Sequence, residues 1–151
     1  MSSAFAFLHH LAAFALVAAL AVEFTLVRGE LTARSARALL AADAILGISA
    51  GVVLVVGLLR VFFFEKGAAY YFQSAPFLAK LSLFVLIGLL SIYPTVQFLS
   101  WRGALRAGAA PSPDAAKLRR IRRIVHWELA CLVVLILCAA LMARGIGYFG
   151  G

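Results

Sequence analysis

The sequence predicts an all-α fold, an integral membrane four-helix bundle running up-down-up-down with both termini on the periplasmic side. Three observations lead there. Of 151 residues, 65% are hydrophobic and only six are Asp or Glu, a balance foreign to soluble domains of this size. Four apolar stretches, approximately residues 4–27, 38–64, 77–101 and 124–146, are each long enough at about 1.5 Å per residue to cross a hydrocarbon core of about 30 Å. The basic residues are asymmetric: the first and third connections with their flanks hold ten of the 14 Lys and Arg, and the other side holds Arg60, Lys66, Lys80 and Arg144. By the positive-inside rule the first set faces the cytoplasm, which places a multi-pass protein in the bacterial inner membrane. The spans and their loops use the length, so a single transmembrane domain over 1–151 is expected.

The first span carries His9 and His10 near one end and Glu23 near the other. Ala19-Leu20-Ala21 imitates a signal-peptidase site, but Met1 to Leu8 holds no Lys or Arg and the positive residues follow the segment, so it is expected to be retained. At 100° per residue His9 returns to within about 40° of Glu23, whereas His10 lies about 140° away. If Glu23 faces the interior, His9 does too; if Glu23 snorkels, His10 is free to be the inward one.

The second span begins near Asp43, ends near Arg60 and contains Gly47 and Gly51, a small-xxx-small pair that permits close helix contact, with Gly57 further on. Glu65 to Pro76 is a connection whose Tyr70-Tyr71-Phe72 run suits the interfacial aromatic belt. Pro76 fits the first turn of the third span, where a missing N–H costs nothing. Lys80 lies three residues into that span, Pro94 is expected to kink its inner half, and Trp101-Arg102 reads as an interface anchor. Gly103 to Asp114, with Pro111 and Pro113, reads as the longest loop. Lys117, Arg119, Arg120, Arg122 and Arg123 alternate with apolar residues and predict a helical approach along the membrane surface, attracted to anionic lipids of the cytoplasmic face. The fourth span holds Cys131 and Cys138, expected as free buried thiols, and ends before Arg144 and a glycine-rich aromatic tail.

This orientation sorts the ionisable residues into two layers. His9, His10, Arg60, Glu65, Lys66, Lys80 and Arg144 fall in the outer one; Glu23, Arg28, Asp43, His126 and Glu128 fall in the inner one. Charge inside a span is expensive and marks functional sites by default. Structural alternatives stand beside that reading: Lys80 snorkelling to the surface, histidines hydrogen-bonded at the interface, Glu23 paired with Arg28. Two methionines and no Cys-x-x-Cys argue against copper, and no phosphate loop or nucleophile elbow is present. The basic residues lie between spans without an aromatic reading surface, which excludes nucleic acid as partner.

The runs Leu8-His9-His10-Leu11, Gly57-Leu58-Leu59-Arg60-Val61-Phe62-Phe63, Phe77-Leu78-Ala79-Lys80-Leu81, Ser91-Ile92-Tyr93-Pro94-Thr95 and Ala143-Arg144-Gly145-Ile146-Gly147 resemble an uncharacterised bacterial inner-membrane family of four-helix proteins. More distantly, a histidine in the outer part of the first helix with a lysine in the outer part of the third is similar to the membrane-embedded protoporphyrinogen oxidases and the copper-resistance D-type proteins. The oxidase resemblance implies haem or porphyrin binding, with His9 or His10 as iron ligand and Lys80 as its partner. The chain departs from those oxidases in the first helix, where Ala18-Ala19-Leu20-Ala21 and Val27-Arg28 replace their Trp, Gly and Pro-Arg pattern.

Three functions follow as expectations. The first is haem or porphyrin binding in the outer half of the bundle, for redox chemistry or trafficking, with Arg60, Lys80 and Arg144 available to propionates. The second is a small proton-coupled transporter using Glu23. The third is a cofactor-free structural or assembly subunit, as a homo-oligomer or in a larger complex, working through Gly47, Gly51 and the basic loops.

Overall fold

The computed structural model describes residues 2–64 and 71–147. Glu65, Lys66 and Tyr70 lie outside the described residues, so their expected places in the outer layer and the aromatic belt have no structural counterpart here. Helix α1 spans Ser2–Leu26. Helix α2 spans Ala33–Leu59 and continues as a π turn over Arg60–Phe64. Helix α3 covers Ala75–Ser100, a short α4 covers Arg102–Arg106, and α5 covers Ala115–Ala143.

Each long helix buries one stripe and turns the rest of its apolar surface outward. On α1 the stripe is Ala12, Leu16, Ala19, Leu20 and Glu23, continued by Val27 just past the helix end, while Phe7, Leu11 and Phe14 on other faces are exposed. The three- and four-residue steps are those of a helix face. Outward-facing phenylalanine and leucine suit lipid rather than water. The strongest packing pairs α1 with α2 and α3 with α5, and α1 against α5 joins the pairs. The main core, including Leu20, Leu39, Phe98, Ile121 and Val125, lies toward the arginine-rich end. A second small cluster, Val61, Tyr71 and Phe77, lies at the other end.

Local chemistry explains the boundaries. Thr32 caps α2 through a reciprocal pair, Ser35 N–H donating to Thr32 Oγ1 at 3.1 Å and Thr32 N–H to Ser35 Oγ at 2.9 Å. Pro76 sits in the first turn of α3. At the end of α5, Gly145 and Gly147 take φ of +70° and +79°, left-handed values that stop the helix. The tail folds back, and Gly147 C=O accepts from Ala75 N–H at 3.0 Å.

The structure corrects several expectations. The basic stretch is not a separate surface helix: Ala115 to Ala143 contains no Gly or Pro, and α5 runs through unbroken, with Ile121 and Val125 buried between arginines. The loop after the third span begins with a helical turn anchored by buried Leu105 and ended by Gly108 at φ +75°. Trp101 is no interface anchor; it is 6% exposed and packs on Phe98 with ring centroids 5.1 Å apart. Tyr71 is buried against Phe77 instead of lying in a belt. Gly47 and Gly51 mediate no close contact within the chain, since a Cβ at either would meet nothing within 4 Å. Cys131 and Cys138 are free, and both are half-buried rather than buried.

Candidate functional site

Two polar sites occupy opposite ends of the bundle. The outer one is a cleft of about 120 Å³ between α1, α2 and α3. His9 from α1, Arg60 from the π turn and Lys80 from α3 all line it, and Leu54, Leu81 and Phe84 supply apolar wall. No carboxyl group is among the described residues that line it. Nδ1 of His9 is buried and has no hydrogen-bond partner. Its ring lies over Gly57, where an added Cβ would come within 3.2 Å of Cε1 and 3.6 Å of Nδ1. Glycine is therefore what lets the imidazole settle against α2.

The neighbouring histidine is turned away. His10 is exposed and its Nδ1 lies 2.6 Å from Ala6 C=O, a bond back into its own helix. Glu23 is buried and His9 faces the cleft, as the helical phase requires. Arg144 does not join the cleft; it is exposed just past the end of α5, where Gly145 turns the chain.

The inner site is built from all four long helices. Glu23 of α1 and Glu128 of α5 are each 1% exposed, and Asp43 of α2 is 8% exposed. Glu23 lies close enough to feel the charges of both Asp43 and Glu128. Helix α3 contributes two hydroxyls one turn apart: Thr95 Oγ1 donates to Asp43 Oδ1 at 2.6 Å, and Ser91 Oγ donates to Glu128 Oε1. Buried Pro94 stands between them, and because it has no N–H, the Leu90 carbonyl one turn back lacks its helical donor. Oε1 of Glu23 and Oε2 of Glu128 have no hydrogen-bond partner among the described residues.

Ser91 and Thr95 are the residues that sequence reasoning missed. Hydroxyls are unremarkable in a helix, and the only available signal was their i, i+4 spacing around a proline within a motif. Arg28 and His126, expected in this cluster, are not in it. The Arg28 guanidinium lies 3.9 Å above the Phe24 ring, and His126, exposed on α5, stacks on the same ring at a centroid distance of 6.2 Å. An ion pair between Glu23 and Arg28 is therefore not formed.

Three more arginines at this end are engaged in the same manner, by backbone and rings. Arg122 Nε donates to Val27 C=O at 2.6 Å, Arg37 reaches Leu105 C=O at 3.5 Å, and Arg120 lies 4.4 Å above the Tyr93 ring. They tie the helix ends together and leave the carboxyl groups without a basic partner among the described residues.

Four helices long and apolar enough to cross a membrane, with ionisable side chains turned toward one another, define a polytopic helical membrane protein. The family model described as "Predicted membrane protein (DUF2214)" matches residues 1–147, nearly the whole chain. The chain belongs to this family. No curated protein and no solved structure matches it.

Proposed function

We propose that this protein sits in the bacterial inner membrane with both termini on the periplasmic side and binds haem or a porphyrin at the outer cleft, for redox chemistry or trafficking. The observation that carries the reading is the convergence of His9, Arg60 and Lys80, from three separate elements, on one apolar-walled cleft. That composition selects a ligand both apolar and anionic.

The donor set fits such a ligand. His9 offers a buried imidazole nitrogen with no competing hydrogen bond, the usual protein ligand to haem iron. Arg60 and Lys80 supply charge for carboxylate groups, Arg60 with the geometry for two parallel hydrogen bonds. When bound, haem would supply one-electron chemistry and a porphyrin would be cargo or substrate. The cleft is smaller than the roughly 300–1,000 Å³ of ordinary ligand pockets, so it would admit only part of a macrocycle. The protein's own part is to fix the imidazole against Gly57, to present two cations and to exclude water with Leu81 and Phe84.

Protein purified from haem-replete cells should show a Soret band that His9→Ala removes and His10→Ala keeps. A preparation without the band, or a band indifferent to His9→Ala, overturns the proposal. Orientation is checked separately by labelling single cysteines placed at Arg34 and Arg106, which should be protected from an impermeant reagent in intact cells.

A second reading, proton-coupled transport through Glu23, is favoured by the burial of that side chain without a basic partner. Flux into liposomes driven by a pH gradient should vanish in Glu23→Gln; persistent flux in that variant removes it.

A further inference from the structure

Three of the chain's six acidic residues are buried at one end of the bundle, and no basic side chain among the described residues pairs with them. A structural polar cluster in a membrane normally matches acid with base or satisfies every lone pair. This one does neither. Glu23 Oε1 and Glu128 Oε2 are fully buried with no hydrogen-bond partner among the described residues, and only Asp43 and Glu128 receive a hydroxyl. Three negative charges in such a place require positive charge from outside the chain.

The surroundings limit what that positive charge is. Four arginines at this end, Arg28, Arg37, Arg120 and Arg122, are held by rings or backbone carbonyls, and His126 is turned out against Phe24. No three of the described His, Cys, Asp and Glu side chains are placed to hold a metal ion. A proton needs no converging ligand shell. It forms one O–H bond on a carboxylate oxygen and adds one positive charge to the site, and its release reverses both.

We propose that Glu23, Asp43 and Glu128, oriented by Ser91 and Thr95, form a proton-binding site within the arginine-rich end of the bundle. The site takes up protons from that side and holds them out of contact with bulk water. It extends the Glu23 reading but does not depend on transport, because a protein that stores protons without moving a substrate satisfies it. It is equally independent of the outer cleft.

The test is infrared spectroscopy of the ligand-free protein in liposomes, titrated with pH at fixed sodium and with sodium at fixed pH. The C=O stretch of a protonated carboxylic acid, absent from carboxylates, should grow as pH falls and shift down in D₂O. Combining Glu23→Gln, Asp43→Asn and Glu128→Gln should remove the part of the band that titrates apart from Glu30, Glu65 and Asp114. Each single variant should remove a share, which carries the test if the triple variant loses its helical circular dichroism. A band unchanged in the variants, or one that responds to sodium instead of pH, overturns the proposal, the second outcome marking a cation site. Liposome flux and the Soret band are read separately, so failure of either leaves this result standing.

Discussion

Replacing Gly57 by alanine probes the contact that seats His9, and two opposing effects set its magnitude. Alanine is better than glycine in a helix by about 0.8–1.0 kcal/mol. Against that, the new Cβ would lie 3.2 Å from His9 Cε1, closer than ordinary van der Waals contact, and overpacking of this kind costs about 1–3 kcal/mol. Gly57→Ala alone should therefore be neutral to destabilising by up to about 2 kcal/mol. In a His9→Ala background the clash is gone and only the helix-propensity gain is left, so the same substitution should stabilise by about 1 kcal/mol. The difference, a coupling of about 1–3 kcal/mol, is measured by a double-mutant cycle using unfolding in mixed micelles followed by circular dichroism. Gly47→Ala and Gly51→Ala serve as internal references, because each has open space around it and should show the propensity gain in both backgrounds. A coupling below about 0.5 kcal/mol, the ordinary scatter of additivity, would refute the seating of His9 on Gly57. A cost at Gly47 or Gly51 would instead reveal a second chain packed there.

Other perturbations give independent readings. Ser91→Ala and Thr95→Val each strip a hydroxyl from a buried carboxyl group and should destabilise by about 1–3 kcal/mol, measured by the same unfolding assay; the two effects should fall short of additive if the carboxyl groups share one site. Gly147→Ala meets both a left-handed φ of +79° and a Cβ contact of 2.8 Å with Pro76, so the tail should detach and hydrogen exchange at the Ala75 amide should accelerate at least tenfold, equivalent to about 1.4 kcal/mol. Arg122→Met keeps the apolar stem but loses the bond to Val27 C=O; the expected cost is about 1–3 kcal/mol, and Arg123→Met, on an exposed position, should cost less than about 0.5 kcal/mol in parallel.

The long helices were legible because spans in a membrane satisfy their backbone internally and announce themselves by length and apolarity. That His9 shares a face with Glu23 was legible too, since helical phase relates residues on one helix without knowledge of any other, but which face turns inward was not. What phase does not supply is the rotation of one helix against the next. That is why Arg28 and His126, close to Glu23 in depth, fall outside the carboxyl cluster, and why Ser91 and Thr95, ordinary in isolation, fall inside it. Trp101 illustrates the same gap: an aromatic residue beside an arginine at the end of a span has the composition of an interface anchor, and only its contact with Phe98 and the buried Leu105 turn shows that the short α4 covers it. The arginines followed a third rule. Their number was plain from composition, but their partners are carbonyls and rings, which no charge-matching argument on a sequence would select.

The π turn at Arg60–Phe64 bears on how this chain tolerates length changes. A π turn holds one residue more than the α turn it replaces, so it behaves as a one-residue insertion absorbed within the helix. Loss of a single residue from 61–64 would let α2 close as an ordinary helix and would leave the positions beyond the cut near their present phase, because the π turn had absorbed the extra residue. Arg60, ahead of the cut, would keep its depth while the turn that carries Val61 in the cleft wall narrowed. Gain of one residue in the same place has no slack to fill and would push the helix end outward. The outer cleft should therefore be asymmetric toward indels, with deletions reshaping it in place and insertions displacing its rim.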